Sequence, residues 1–260
     1  MKERKVGIVG LGHVGGSMHE LFTDAVVYDE IKEIGTREAI NECDVAFVCV
    51  PTPRAADGHC DASIVEYVLN WIESGVIVLR STVPVGFTDA WCEKTGKKIV
   101  FQPEYYGETF AHPFADPHNR SWITLGGSED ATEKVAELYQ TKLTSELFIH
   151  QVDAKTAELA KYMENCFLAT KVTFCNQFYD LAQAYGINYN KLRETWLLDP
   201  RIGRSHTFVY PENRGYGGSC LPKDLSATLF QAKELGVEVP LLQSVWDTNS
   251  GLYRPEYAAL

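Results

Sequence analysis

The sequence lacks several features that mark specialised classes of protein. Its seven cysteines form no CxxC pair, and lysine and arginine (24) are outnumbered by aspartate and glutamate (35), which gives a formal net charge of −11. We therefore expect reduced thiols and no nucleic-acid surface, because phosphate binding needs clustered cations. The longest apolar run, VAFVCV at 45–50, is far shorter than the ~20 residues of a membrane span.

The amino-terminal residues also lack the apolar region and cleavage site of a signal peptide. The segment MKERKVGIVG leads directly into a predicted strand. Together with the reduced thiols, this predicts a cytoplasmic protein without a membrane segment. At 260 residues the chain is long enough for one large domain or two modest ones.

The first third of the chain has the order of a dinucleotide-binding unit. A short apolar run leads into GLGHVG (10–15), and a helix is predicted to follow. In such a loop the first glycine permits a tight turn, the second lets the backbone approach a pyrophosphate, and the third lets helix and strand pack closely. The next apolar run ends in an aspartate whose carboxylate suits the adenosine ribose, which favours NAD over NADP. The predicted cofactor residues here are Gly10, Gly12, His13, Val14, Gly15 and Asp29.

Strand-like and helix-like stretches alternate through the first 150 residues, which predicts an α/β fold with a Rossmann-like, doubly wound parallel sheet. Strands are predicted at 5–10, 25–29, 43–53, 75–86, 97–104, 121–127 and 145–150, and helices around 14–23, 61–73 and 129–141. The pairs Pro51-Thr52, Ser81-Thr82 and Pro103-Glu104 each end a predicted strand. Since ligands bind at the carboxyl ends of parallel strands, we expect these pairs to face one crevice.

One long helix is predicted in the second half of the chain, because 153–185 contains neither proline nor glycine and its apolar residues recur at helical spacing. Lys161 and Asn165 lie at positions i and i+4 and therefore share a face of this helix. Its length and aromatic content also predict a subunit interface. We expect a dinucleotide-binding domain at 1–150 and a helical domain at 151–260.

The segment GYGGSCLPKDL (215–225) places Cys220 directly before a predicted helix at 221–236. The dipole and the free amides of a helix amino terminus stabilise a thiolate. Glycines 215, 217 and 218 are expected to leave the space above the thiol open to a ligand. On these local grounds Cys220 is either a nucleophile or an inert cysteine in a tight turn.

At this point the chain resembles a known family. GYGGSCLPKD is similar to the active-site segment of the nucleotide-sugar 6-dehydrogenases, the UDP-glucose and GDP-mannose dehydrogenase family. Further motifs match in order along the chain: GLGHVG (10–15), VCVPTP (48–53), STVPVG (81–86), QPEYYGE (102–108), DPHNR (116–120), AELAKYMENCFLA (157–169) and RIG (201–203).

The resemblance implies a four-electron oxidation of a sugar C6 alcohol to a carboxylate with two NAD molecules. Cys220 would attack the aldehyde intermediate, and Lys161 and Asn165 would stabilise the developing oxyanion. Asp224 would help to organise a water or proton relay. Glu104, with Thr82 beside it, would serve thioester hydrolysis as general base or water-positioning group. The implied catalytic residues are thus Cys220, Lys161, Asn165, Asp224, Glu104 and Thr82.

The resemblance also implies contacts to the nicotinamide side of the cofactor and to the sugar. The cofactor contacts would be Val50, Pro51, Thr52, Ser81 and Glu108, and the substrate contacts Tyr105, Lys161, Asn165, Arg201, Tyr216 and Gly217. Arg201 would reach the substrate of a neighbouring subunit, so a homodimer through the long helix is implied. His112, Asp116 and His118 lie in a loop that binds no metal in the family, and we expect no metal.

Two departures from the family bear on the substrate. Family members continue into a third domain that holds the nucleotide, whereas this sequence stops near the approach to it, and the stretch between Asp29 and Cys43 is shorter. Two alternatives therefore stand beside a nucleotide-sugar dehydrogenase. One is an NAD-dependent dehydrogenase of a smaller hydroxy acid, similar to β-hydroxyacid dehydrogenases. The other is an NAD-binding remnant that no longer turns over.

Overall fold

The computed structural model describes residues 4–105, 116–143 and 146–258. The chain divides into two compact units, the first formed by Met1–Thr52 and Asp61–Lys161 and the second by Pro53–Cys60 and Tyr162–Leu260. Two residues considered from the sequence, Glu108 and His112, lie outside the described residues.

The described residues of the first unit form seven strands, and most of the helices alternate with them. The strands are β1 (Val6–Val9), β2 (Val26–Tyr28), β3 (Val45–Val48), β4 (Val76–Leu79), β5 (Ile99–Phe101), β6 (Trp122–Gly126) and β7 (Phe148–Val152). The helices are α1 (His13–Leu21), α2 (Arg37–Asn41), α3 (Ser63–Trp71), α4 (Phe87–Thr95) and α5 (Glu129–Gln140). Six strands fall within the runs predicted from the sequence, and β7 overlaps the run predicted at 145–150 but extends two residues past it, so a strand is confirmed at each of the seven places.

The strands form one sheet in the order β2-β1-β3-β4-β5-β6-β7. Every neighbouring pair is parallel except β5 and β6, which meet antiparallel through Phe101 and Gly126. The prediction of a parallel sheet is therefore wrong at this one place. The reason is that β6 begins beyond the carboxyl end of β5, where the rings of Tyr105 and Trp122 lie 5.1 Å apart. A parallel neighbour would instead have to start from the opposite edge of the sheet.

The central strands β1, β3 and β4 are buried along their whole length, which explains why they read as continuous apolar runs rather than as alternating ones. Two clusters of buried side chains cover the sheet. One includes Met18, Phe47 and Tyr139, and the other includes Leu69 and Trp91. Full burial of one such side chain contributes about 1.5–3 kcal/mol, so the sheet forms a rigid frame for the polar groups at its edge.

The predicted long helix is present as α6 (Ala154–Ala184), and its 31 residues run from the first unit into the second. Within the first unit, its residue Glu158 is fully buried and accepts hydrogen bonds from the backbone amides of Gly86 and Thr88, at 2.6 and 2.9 Å. This carboxylate therefore caps the amino terminus of α4. Burial raises the pKa of Glu158, and these hydrogen bonds only partly oppose it.

The second unit is helical. It contains most of α6, followed by α7 (Tyr189–Trp196), α8 (Leu221–Glu234) and α9 (Pro240–Thr248), and then a π-helical turn at Asn249–Tyr253. Segment 53–60 belongs to this unit: the Arg54 Nε donates to the Ser226 Oγ at 2.7 Å, and the Ser226 Oγ donates to the Gly58 carbonyl at 2.8 Å. No helix within the described ranges is long and apolar enough to cross a membrane.

Candidate functional site

The glycine loop of the first unit has the geometry that its sequence predicts. Gly10 has a φ of 87°, which favours glycine, and a Cβ on Gly15 would lie 1.9 Å from the Gly10 carbonyl oxygen. No described atom lies within 4 Å of a Cβ built on Gly12, which precedes the first residue of α1. Open space at a helix amino terminus, lined by backbone amides, fits the pyrophosphate of a dinucleotide.

Asp29 lies beside this loop at the end of β2. Its Oδ2 accepts a hydrogen bond from the Leu11 amide at 2.7 Å, and its Oδ1 accepts one from the Lys32 amide at 2.9 Å. These bonds, the one from Leu11 above all, lower the pKa of Asp29 and keep it ionised. An ionised carboxylate has further lone pairs for ribose hydroxyls, so Asp29 and the glycine loop fit NAD.

Polar residues follow β3, β4 and β5, which are adjacent and parallel. Thr52, Ser81 and Glu104 therefore lie at one edge of the sheet, as predicted. The Ser81 Oγ donates to the carbonyl of Val50 at 2.6 Å and so ties the ends of β3 and β4 together. Thr52 and Ser81 are both buried.

Glu104 is held by two arginines that are not among the site residues predicted from the sequence. Arg80 donates to the Glu104 carboxylate, and the Nη2 of Arg120 lies 3.8 Å from its Oε1. Both arginine side chains are almost fully buried, and Glu104 is itself largely shielded. The available signal was an arginine at the end of an otherwise apolar strand, VIVLR, where an unpaired charge would be costly.

Lys161 is the last residue of the first unit and lies on α6. Although a lysine is rarely buried, its residue exposure is 8%, and its Nζ lies 4.8 Å above the ring of Tyr105. The Tyr105 ring in turn contacts Trp122. A cation held in this way is not a freely solvated surface lysine.

In the second unit, Cys220 is the residue that precedes α8, as predicted, and the first turn of that helix contains Pro222. Cys220 is exposed, whereas Cys43, Cys60, Cys166 and Cys175 are buried. Burial raises the pKa of Cys166 to about 11, which makes that thiol a poor nucleophile. The free amides of the first turn of α8 are thus presented beside the one exposed thiol among the seven.

Close to Cys220 in the chain, α8 contributes two residues to a network of three side chains, of which Asn165 and Asp224 are buried and Lys223 is largely shielded. Asp224 is 1% exposed; its Oδ2 accepts a hydrogen bond from the Asn165 Nδ2 at 2.5 Å, and its Oδ1 accepts one from Lys223. Burial lowers the pKa of Lys223, but the Asp224 carboxylate more than offsets this and the net shift is upward. Lys223 was not selected from the sequence, since adjacency to an aspartate is common on solvated helices.

The glycines of GYGG do not all leave open space, which corrects the prediction for 215 and 217. A Cβ on Gly215 would lie 2.4 Å from the Asn249 Oδ1 and 2.7 Å from the Tyr253 Cβ. A Cβ on Gly217 would meet Arg254 at 3.5 Å. The chain after α9 packs against both positions. Only at Gly218, with a φ of 78°, is there no described atom within 4 Å.

Tyr216 is fixed by the same segment. Its backbone amide donates to the Asn249 Oδ1 at 2.9 Å, and the Asn249 Nδ2 donates back to the Tyr216 carbonyl at 3.1 Å. The Tyr216 hydroxyl is buried, and no hydrogen-bond partner for it occurs in the part of the chain that the structure describes. Burial also raises the pKa of this hydroxyl.

Tyr216→Phe is therefore expected to stabilise the free protein by about 1 kcal/mol, because it removes a polar group that is buried without a partner. Tyr189→Phe is the matched control: the Tyr189 hydroxyl donates to the Thr207 carbonyl at 2.9 Å, and its loss should cost about 1 kcal/mol. Urea denaturation of both variants measures the effect. A loss of stability in Tyr216→Phe equal to that of the control would contradict the prediction.

Arg201 and one face of α6 are exposed. Arg201 is paired with Asp199, with the Nε 2.9 Å from the Oδ1, and 86% of its side chain is accessible. Large apolar side chains on α6 and at its end are also accessible: Leu159, Met163, Phe167, Phe174, Phe178, Leu181 and Tyr185. The opposite side of the helix, with Tyr162 and Cys166, is buried.

Both units of the chain match domains of one known protein family. Residues 17–143 match the NAD binding domain of the UDP-glucose/GDP-mannose dehydrogenase family, and residues 155–251 match the central domain of that family. The chain belongs to this family. The match of the central domain includes Asn165, Cys220 and Asp224, and the match of the NAD binding domain includes Asp29 and Glu104.

Individual members of the UDP-glucose/GDP-mannose dehydrogenase family are similar over most of the chain. A UDP-glucose 6-dehydrogenase of Rhizobium meliloti (strain 1021) is 33% identical in an alignment of 233 positions, which covers 84% of this chain and 52% of that protein. A UDP-glucose dehydrogenase structure from Pyrobaculum islandicum has a TM-score of 0.80 at 26% identity, covering 95% of this chain and 68% of that one. The chain thus spans about half the length of the curated relative.

A further solved structure shares the fold. The 3-hydroxyisobutyrate dehydrogenase of Mycobacterium tuberculosis has a TM-score of 0.73 at 17% identity, and the match covers 98% of this chain and 92% of that one. At this identity the likeness concerns the fold alone.

Proposed function

We propose that the protein is an NAD-dependent dehydrogenase that oxidises the C6 alcohol of a nucleotide sugar to the uronic acid, as a UDP-glucose 6-dehydrogenase does. The observation that carries this proposal is the exposed Cys220 at the start of α8, backed by the buried Asn165–Asp224–Lys223 network. A reduction of NAD without covalent chemistry would have no use for a thiol placed in this way.

In this proposal the first oxidation converts the alcohol to an aldehyde, and its hydroxyl proton leaves through a relay that includes Asp224 and Lys161. The Cys220 sulfur then forms a bond to the aldehyde carbon, giving a thiohemiacetal whose oxyanion is stabilised by Lys161 and Asn165. Loss of a second hydride leaves a thioester. Water, positioned by Glu104 with Thr82, cleaves the carbon–sulfur bond and releases the acid and the thiol. A separate NAD molecule, held by the glycine loop and Asp29, would supply the hydride acceptor for each of the two oxidations.

The residues around these groups have supporting roles. We propose that the cofactor is held by the glycine loop, Asp29 and the strand-end residues from Val50 to Thr52 with Ser81, and that Glu108 contributes on the nicotinamide side. Tyr105, Tyr216 and Gly217 contact the sugar. In terms of domains, 1–150 binds NAD and 151–260 carries the catalytic cysteine and the subunit interface.

A dehydrogenase of a smaller hydroxy acid is the second candidate, because the helical Lys161–Asn165 pair also resembles that of the β-hydroxyacid dehydrogenases. It assigns no role to Cys220 or to the Glu104–Arg80 pair, and we therefore rank it lower. A protein that binds NAD without turnover is the third.

One assay separates these three functions: the yield of NADH per molecule consumed, measured with UDP-glucose, GDP-mannose and simple hydroxy acids. The proposal predicts two NADH per sugar and loss of acid formation in Cys220→Ala. One NADH per molecule, unchanged by Cys220→Ala, would establish the hydroxy-acid function. Binding of NAD without turnover of any compound would establish the third candidate, a protein that binds NAD but catalyses no oxidation.

We further propose that the exposed apolar face of α6 forms a homodimer interface, because large apolar side chains at helical spacing are unusual on a free surface. Light scattering should then give about twice the chain mass of 29.1 kDa. Phe167→Glu and Met163→Glu should convert the dimer to the monomer. Leu235→Glu, on another exposed apolar residue, should leave the mass unchanged. A monomeric wild-type protein would contradict the proposal.

A further inference from the structure

Arg80 occupies an unusual position at the end of β4. The residues before it form a fully buried apolar strand. Although Arg80 carries a charge, it is buried as well, with only 4% of the residue exposed. Its Nη1 donates to the backbone carbonyls of Gln102 and Pro103, at 3.2 and 3.1 Å. Its Nη2 donates to the carboxylate of Glu104. One guanidinium thus holds both the backbone that leads to Glu104 and the Glu104 side chain.

The planar guanidinium explains why arginine is suited to this task. It presents several donors in a fixed fork, so it can bind two carbonyls and a carboxylate at once, which a lysine ammonium on a flexible chain does less rigidly. Arg120 approaches the other carboxylate oxygen, with its Nη2 3.8 Å from the Glu104 Oε1. The Gln102 side chain, on the same segment, accepts a hydrogen bond from the Tyr139 hydroxyl at 2.8 Å. The segment 102–104 is therefore anchored from several sides.

This anchoring exceeds what the end of a strand requires for stability, since buried ion pairs are weak contributors to it compared with apolar side chains. The burial of these charged groups is better explained if they hold a reactive carboxylate in a fixed orientation. A carboxylate that directs water at an acyl group must be held within a fraction of an ångström, and groups behind it usually do this.

We propose that Arg80 is a positioning residue that holds the Glu104 carboxylate in the orientation needed to direct water at an acyl-cysteine, with Arg120 in an auxiliary role. This inference rests on the proposed function, in which a thioester on Cys220 is hydrolysed. Arg80 acts only through Glu104: it transfers no proton and forms no bond to the substrate.

The test uses the whole chain and needs no nucleotide sugar. p-Nitrophenyl acetate acetylates the exposed Cys220 thiol, with release of p-nitrophenol, and mass spectrometry then follows hydrolysis of the acetyl thioester to acetate and thiol. We expect Glu104→Gln and Arg80→Met each to slow this hydrolysis by about 10²-fold, the lower end of acid–base contributions. The double variant should be no slower than either single variant, because the two residues act as one unit.

Controls separate positioning from folding. Arg4→Met removes an arginine from an ion pair on the surface of the same unit and should leave hydrolysis unchanged. Arg80→Lys keeps the charge and should recover part of the rate. If Arg80→Met does not fold, Arg120→Met takes its place, with a smaller expected slowing. Hydrolysis at the wild-type rate in folded Arg80→Met, or further slowing in the double variant, would overturn the inference.

The proposed function can fail separately from this inference. Wild-type hydrolysis in Glu104→Gln would overturn the role of Glu104 and with it the role of Arg80. The NADH yield per sugar would still report on the oxidation steps, in which Glu104 takes no part. Conversely, slowed deacylation in both single variants with no sugar oxidised by the wild-type chain would support the positioning role and contradict the sugar substrate.

Discussion

Lys223→Met is expected to destabilise the protein by about 3–5 kcal/mol, the usual cost of breaking a buried ion pair. The variant leaves the carboxylate of Asp224, which is 1% exposed, without its adjacent cation. The Asn165 amide still donates to it but carries no compensating charge. Urea denaturation measures the loss.

Two further variants test the cause of this loss. Lys233→Met removes an exposed lysine from the other end of α8 and should change stability by less than ~0.5 kcal/mol, as surface substitutions usually do. In Lys223→Met/Asp224→Leu both charges are gone, so the loss should be smaller than in Lys223→Met alone. A double variant that is less stable than Lys223→Met would show that packing, and not the unpaired charge, dominates.

Gly15→Ala is expected to destabilise the first unit strongly and to abolish NAD binding. The new Cβ would lie 1.9 Å from the Gly10 carbonyl oxygen, a backbone atom that can move only if the glycine loop moves. Such overpacking costs about 1–3 kcal/mol or more. The altered loop would no longer present its amides to a pyrophosphate. Thermal denaturation measures the loss of stability, and calorimetric titration with NAD measures the loss of binding.

The adjacent Gly16 provides a matched control for Gly15→Ala. It lies in the same helix, and no described atom is within 4 Å of a Cβ built on it. Gly16→Ala should therefore stabilise the helix by about 0.5–1 kcal/mol and leave NAD binding intact. Equal effects of the two substitutions would contradict the packing role assigned to Gly15.

Much of the fold can be predicted because the buried strands carry their own signal. VGIV, VAFV and VIVL are apolar on both faces, as strands covered by helices must be, and the uninterrupted stretch 153–185 indicates α6 directly. The direction of β6 could not be predicted in this way. It is set by the pairing of β6 with β5, and a run such as SWITLGG has the same pattern in either direction.

The site residues divide in a similar manner. Site residues in compact motifs, such as Asp29 after β2 and Cys220 before α8, can be predicted from the sequence, because their contacts are with residues of the same motif or the adjacent element. Arg80 and Lys223 are visible only in the structure, since what makes them unusual is burial against a distant or adjacent carboxylate. The crowding of Gly215 by Asn249 is likewise a tertiary contact between residues far apart in the chain.

The central claim is that Cys220 forms a covalent bond to the substrate. Peptide mapping of Glu104→Gln after incubation with UDP-glucose and NAD tests it most directly, because slowed hydrolysis should let the thioester accumulate. The predicted result is a uronoyl adduct on the peptide that contains Cys220. Release of NADH from this variant while that peptide remains unmodified would contradict the claim.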